Sequence, residues 1–178
     1  MINKLTILII SMLWSFSGVS QQPGGNKGKN LETVLKFAGC VNWAEDSQKN
    51  DLLIFIADDD EERFNAATAY LANRDFKNRK IQTVKLNDET ELNTSCIVFI
   101  TQNTGIDVDK LIAKTSGKHV MTITTNQSLL EKGCMFYINA AENEELEYLF
   151  NKRAVLDSEL TINSLLFDPA HKWKPTEY

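Results

Sequence analysis

The sequence predicts an α/β domain: a mostly parallel, mixed sheet with helices on both faces and an antiparallel strand pair near its C-terminus. Three observations point there. Two short and wholly apolar runs, Leu52–Ala57 and residues 96–101, have strand length without alternation, as strands covered on both faces do. Stretches with helical spacing lie between the strand-like runs. After Thr124 the alternation of strand and helix stops, and residues 135–139 and 146–151 follow one another across the polar loop 140–145, as antiparallel partners do.

Taken in order, Leu31, Val34, Leu35, Ala38 and Val41 recur at helical spacing behind Asn30, which suits an N-cap, so a first helix is expected to run to Trp43. The first strand, Leu52–Ala57, leads into an acidic turn, residues 58–62, and then a helix with Phe64, Ala67 and Leu71 on one face. Residues 81–86 mix polar and apolar side chains and read as a more exposed strand. Residues 96–101, a helix marked by Val108, Leu111 and Ile112, and the strand 119–124 complete the parallel part. Beyond the antiparallel pair come a helical turn at 152–157, a brief extended piece at Leu160 and Ile162, and a closing segment at 165–167. Pro169 should stop it, leaving 168–178 as a loose tail.

The N-terminus is built like an export signal. Lys4 supplies the charge, residues 5–14 are apolar apart from Thr6 and Ser11, and Gly18 and Ser20 offer the small side chains that cleavage requires. The apolar run is about half the roughly 20 residues a spanning helix needs. Residues 1–20 are therefore expected to be a signal peptide cut near Ser20 and Gln21, with 21–30 a flexible leader, 31–167 the folded domain and the location periplasmic. With 19 basic and 24 acidic residues the chain carries −5, and no basic stripe of the kind nucleic acid requires is visible.

Chemistry is scarce. Asp58, Asp59 and Asp60 follow an apolar first strand as the magnesium-binding carboxylates of response-regulator receiver domains do. Yet the third core strand ends Thr101-Gln102-Asn103, with no carboxylate to accept phosphate. The acidic turn then reads as a cap for the following helix. Two histidines, His119 and His171, form no pair, and no two cysteines lie close enough in sequence for a metal site. Cys96, Cys134 and His119 all sit at strand starts, the wrong end of an open sheet for a nucleophile, and no Gly-rich phosphate loop follows any strand. No enzyme, metal or cofactor is expected. Parallel strands should instead bring Asp58, Asp59, Gln102, Asn103, Thr124, Thr125 and Asn126 to one polar rim, a candidate contact for a ligand or partner. Trp43, at the end of the first helix, is a candidate partner anchor or a core residue.

The ordered motifs resemble the YfiR family of small periplasmic proteins. Phe37-Ala38-Gly39-Cys40-Val41-Asn42-Trp43 is similar to its Phe-x-x-x-Ile-x-Trp-Pro ending, with Ala44 in place of proline. Cys96-Ile97-Val98-Phe99-Ile100, Met121-Thr122-Ile123-Thr124, Gly133 to Asn139, Tyr148-Leu149-Phe150-Asn151 and Leu165-Leu166 match its later blocks in order. The resemblance implies an α/β regulator that modulates a membrane signalling protein, of the diguanylate cyclase or sensor kinase type, by contact with its periplasmic domain. In the first case that means control of cyclic-di-GMP, and a homodimer is left open. It also implies redox sensitivity through disulfides in some members; here Cys96 has no cysteine on Leu52–Ala57 to pair with. The rival readings are an exported metal-dependent hydrolase using Asp58, Asp59 and Asp60, and a small-ligand carrier.

Overall fold

The computed structural model describes residues 26–43, 50–92, 95–140, 146–167 and 173–177. Helix α1 (Asn26–Gly39) comes first, then the strands β1 (Val41–Asn42) and β2 (Leu52–Ala57), helix α2 (Glu61–Ala72), and a hairpin of β3 (Asp75–Phe76) and β4 (Arg79–Lys85). β5 (Cys96–Ile100), α3 (Val108–Thr115), β6 (Val120–Thr124) and a 3-10 turn (Gln127–Leu130) follow. The chain continues through β7 (Phe136–Ala140), β8 (Leu146–Phe150), α4 (Lys152–Leu156), β9 (Thr161–Ile162), a second 3-10 turn (Ser164–Phe167) and β10 (Trp173–Glu177).

Eight strands form the main sheet in the order β10-β8-β7-β6-β5-β2-β4-β3. Neighbours run parallel except at β7–β8 and β3–β4, so the expected mixed sheet with an antiparallel C-terminal pair is present. β5 and β6 are buried at every position and β2 at all but one, because the sheet has a core on each face. On one face α1 and α2 cover Ile54, Ile56, Ile97, Phe99, Met121 and Ile123. On the other, α3 and the first 3-10 turn cover Phe55, Val98, Ile100 and Val120 through Leu111 and Leu129. β4, with only β3 beyond it, is mostly exposed, and Ile81 is its one buried residue.

Five expectations need correction. Residues 26–30 belong to α1, not to a flexible leader, and Asn30 is inside the helix, not its cap; Thr33 donates its hydroxyl to the Lys29 carbonyl (2.9 Å). Nothing apolar marks that turn, but once a helix is nucleated a polar residue extends it without needing to be buried. The same helix stops at Gly39, not Trp43. Val41 and Asn42 swing out to pair antiparallel with Ile162 and Thr161, and Asn163 N donates to Cys40 O (2.7 Å). The tail is not loose throughout: Trp173–Glu177 pairs parallel with β8, Trp173 opposite Leu146 and Glu177 opposite Phe150. Pro175 argues against a strand in the sequence, but this strand lies at the sheet edge, where a missing amide is tolerated. Finally, residues 75–76 form a strand that the sequence reading left out; Lys77 and Asn78 take positive φ to turn the hairpin. The proposed signal peptide and the proline-replacing Ala44 lie outside the described residues.

The α1 core is closed by three aromatic rings. Phe37 meets Phe136 and Tyr148 edge-on, with centroids 5.2 and 4.9 Å apart. Tyr148 is buried, and its hydroxyl has no hydrogen-bond partner among the described residues. Desolvation, and secondarily the neighbouring Cys40, raise its pKa, so it stays a neutral and unsatisfied phenol. Tyr148→Phe removes the orphaned group and keeps the ring. The expected result is a gain of about 1 kcal/mol in urea unfolding, at the low end of the penalty for an unpaired buried polar group. A loss of stability would mean that the hydroxyl is satisfied.

Candidate functional site: a pocket at the rim of the parallel strands

β2, β5 and β6 run in one direction, so their carboxyl ends share a rim. Backbone bonds stitch the segments leaving it. Thr101 N donates to Ala57 O (3.0 Å), Asp59 N to Asn103 O (2.8 Å) and Thr125 N to Ile100 O (3.1 Å). Gln102 adds an amide bond to Thr125 O (3.0 Å). Gly105 N reaches Asp59 Oδ2 at 2.7 Å; a Cβ on Gly105 would stand 3.0 Å from the same oxygen, a tight contact that the exposed Asp59 side chain would have to ease.

Arg63, in the first turn of α2, holds the acidic turn together. Asp60 is the N-cap of that helix, accepting from Arg63 N at 3.0 Å. The guanidinium folds back onto Asp58 with a two-pronged contact, Nη2 to Oδ1 at 2.7 Å and Nε to Oδ2 at 2.9 Å. Its Nη1 lies 2.8 Å from Asp60 Oδ2. With its amide oxygen turned toward the guanidinium, Asn103 accepts from Nη2 at 2.9 Å. Asp58 is only 4% exposed. Burial raises its pKa, but the Arg63 hydrogen bonds, the Asp60 amide (2.9 Å) and the Arg63 charge outweigh that, holding the carboxyl below its ordinary range.

Beside this fork lies a pocket of about 340 Å³. Asp58, Arg63, Thr101, Gln102, Asn103 and Thr125 line its rim side, and Ile56 and Phe99 form its floor. α1 contributes Asn30 and Leu31, α2 contributes Ala66 and Ala67, and β7 contributes Tyr137, Ile138 and Asn139.

Of the rim residues read from the sequence, Asp58, Gln102, Asn103 and Thr125 meet in this pocket. Asp59 faces a shallower depression outside it with Gly105. Thr124 is buried, donating to Ile100 O (2.9 Å) and accepting from Asn126 N (2.9 Å). Asn126 caps the first 3-10 turn. Trp43 does not line the pocket: it packs in the α1 core at 5% exposure, with its indole N–H donated to Ala38 O at 3.0 Å. Sequence reasoning missed Arg63, although three residues beyond Asp60 is helix-neighbour spacing and could have flagged it. Nothing in the sequence signalled the α1 and β7 walls, which depend on how the layers pack.

Of the acidic turn, Asp58, Asp59 and Asp60 are committed to Arg63, to Gly105 N and to the helix cap, and no metal-holding cluster occurs among the described residues. Cys96 and Cys134 are buried on the opposite face, where desolvation pushes both thiols up to about 12. Cys134 lies just before β7, and β6 separates β7 from the strand of Cys96, so at two strand spacings, about 10 Å, the thiols are too far apart to bridge. Among the described residues no helix is long and apolar enough to cross a membrane.

The domain is an open α/β sheet with a partly apolar pocket at its strand ends, the place where such sheets commonly take ligands. The YfiR/HmsC-like family model matches residues 30–171, and the chain belongs to that family. It is a family of periplasmic regulators of signalling rather than of catalysts. No curated protein matches the sequence.

Proposed function

We propose that this chain is exported to the periplasm and there modulates a membrane signalling protein, of the diguanylate cyclase or sensor kinase type, by binding its extracytoplasmic domain. The family match over residues 30–171 carries this reading. The signal-like N-terminus, with Lys4 before an apolar run and a small-residue stretch, supports the location. The internal pairing of Asp58 and Arg63 supports a role in binding over one in chemistry, and tells against a hydrolase using Asp58, Asp59 and Asp60. The exposed rim of Asp59, Gln102 and Asn103 is the surface we assign to the partner; Trp43 is not part of it. Control of cyclic-di-GMP follows where the target is a cyclase.

A pull-down from envelope extract tests this, with the native chain as bait. Recovery of an inner-membrane protein bearing a periplasmic domain and a cytoplasmic signalling domain is expected, and Asp59→Lys should weaken it. Recovery of soluble enzymes alone, or a bait that keeps Met1, would reject the reading. The pocket favours a second and compatible reading, in which the regulator also takes up a small ligand.

A further inference from the structure

We infer that the rim pocket binds a small, uncharged, amphipathic molecule, one with an apolar ring or chain and a neutral hydrogen-bonding group such as an amide. This deepens the small-ligand reading and rests on it, not on the identity of the protein partner.

Size comes first. About 340 Å³ falls at the low end of the roughly 300–1,000 Å³ of small-molecule sites. Ala66 and Ala67 keep the α2 wall short, so that the space between helix and sheet stays open. The apolar part of the lining comes from four different elements, with Ile56 and Phe99 in the floor and Leu31 and Ile138 in the walls. An apolar group entering the pocket leaves water behind.

The polar wall is rich in neutral groups that are not used up by the fold. Gln102 spends its NH2 on Thr125 O, which leaves its carbonyl oxygen as an acceptor. The Thr125 and Tyr137 hydroxyls and the Asn139 amide make no side-chain hydrogen bond to a described residue. These are donors and acceptors at the mouth of an apolar space, the arrangement that orients a ligand with one polar end.

Charge selects against ions. The two ionic groups in the lining, Asp58 and Arg63, cancel each other through a close two-pronged contact. An anionic ligand would have to take Arg63 from Asp58 and leave that carboxylate buried without its counter-ion. A cation would meet a guanidinium in the wall and a carboxylate already occupied. A neutral ligand disturbs neither.

Three probes of nearly equal shape separate these cases: benzamide, benzoate and benzamidine. They are titrated at millimolar concentration into the isotope-labelled full chain as recovered from the envelope, with backbone amides followed by NMR. Benzamide should shift and saturate the signals of Gln102, Asn103, Thr125 and Asn139, and the two ions should bind at least about tenfold more weakly. Ala67→Phe, which fills the pocket, should abolish the shifts, and the exposed Asn139→Ala should weaken them while leaving the rest of the spectrum intact. Tighter binding of benzoate or benzamidine overturns the ligand class. An unchanged rim with all three probes, or benzamide shifts that survive both substitutions, overturns the site itself. Either failure leaves the pull-down with the membrane protein unaffected.

Discussion

Phe37→Ala should cost about 3–5 kcal/mol, the range for emptying a fully buried aromatic site. Phe37 has no exposed surface, and it is the side chain through which α1 reaches both β7 and β8, by its ring contacts with Phe136 and Tyr148. Its neighbours are poorly placed to close the hole, because Phe136 and Tyr148 are themselves held on strands in an antiparallel ladder, with Ile138 opposite Tyr148. Domains have only about 5–15 kcal/mol in total, so this single change consumes a large share. At about 2–4 °C per kcal/mol for a chain of this size, melting should fall by roughly 6–20 °C. The pocket should suffer too, because Asn30 and Leu31 ride on the same helix. Urea unfolding followed by circular dichroism checks the figure. A loss below about 1 kcal/mol would mean that α1 is not docked as described.

Asp58→Ala is expected to cost about 2 kcal/mol at neutral pH, less than breaking a fully buried pair, since the Arg63 side chain is about a quarter exposed and can rehydrate. The effect has a pH signature whose sign follows from the carboxyl's lowered pKa. A group that binds its proton more weakly in the folded state than in the unfolded one adds stability above the unfolded value. That stability is lost as pH falls through the folded value. Wild type and Asp58→Asn should therefore differ most above about pH 4, the ordinary carboxylate value, and converge below it. Thermal unfolding from pH 7 down to pH 3 provides the comparison. A constant gap between the two proteins across that range would show that the Asp58 charge does not stabilise the fold.

Much of the framework was legible because burial on both faces leaves an unmistakable trace: Ile54 to Ala57 and Cys96 to Ile100 are apolar without interruption because they sit in the middle of the sheet. The rim follows from strand direction alone, and that is enough to bring Asp58, Gln102, Asn103 and Thr125 together. What stayed hidden depends on packing between distant segments. Trp43 has the residue type of an interface anchor, and only the position of β1 against β9 turns it inward. Arg63 is an ordinary helix arginine until the acidic turn bends back toward it. Trp173 to Glu177 carry a proline and no alternation, and they become a strand only because β8 offers an open edge.

The clasp between β1 and β9 has a consequence for the order of events in folding. Val41 pairs with Ile162, and Phe37 packs on Phe136 and Tyr148, so the contacts that seat α1 are made with residues near the other end of the described chain. A ribosome delivers α1 first, yet its docking sites emerge about a hundred residues later. Until then the apolar stripe of Leu31, Val34, Phe37 and Ala38 lacks the β7 and β8 surface that completes its cover. Long-range closure of this kind is slow, and exposed stripes are where chains stick to one another. Pulse-labelled hydrogen exchange during refolding should find the α1 amides protected after those of β2, β5 and β6; protection of α1 ahead of the central strands would contradict this. The sheet can begin to form as soon as its middle strands exist, but the domain is finished only when its two ends meet.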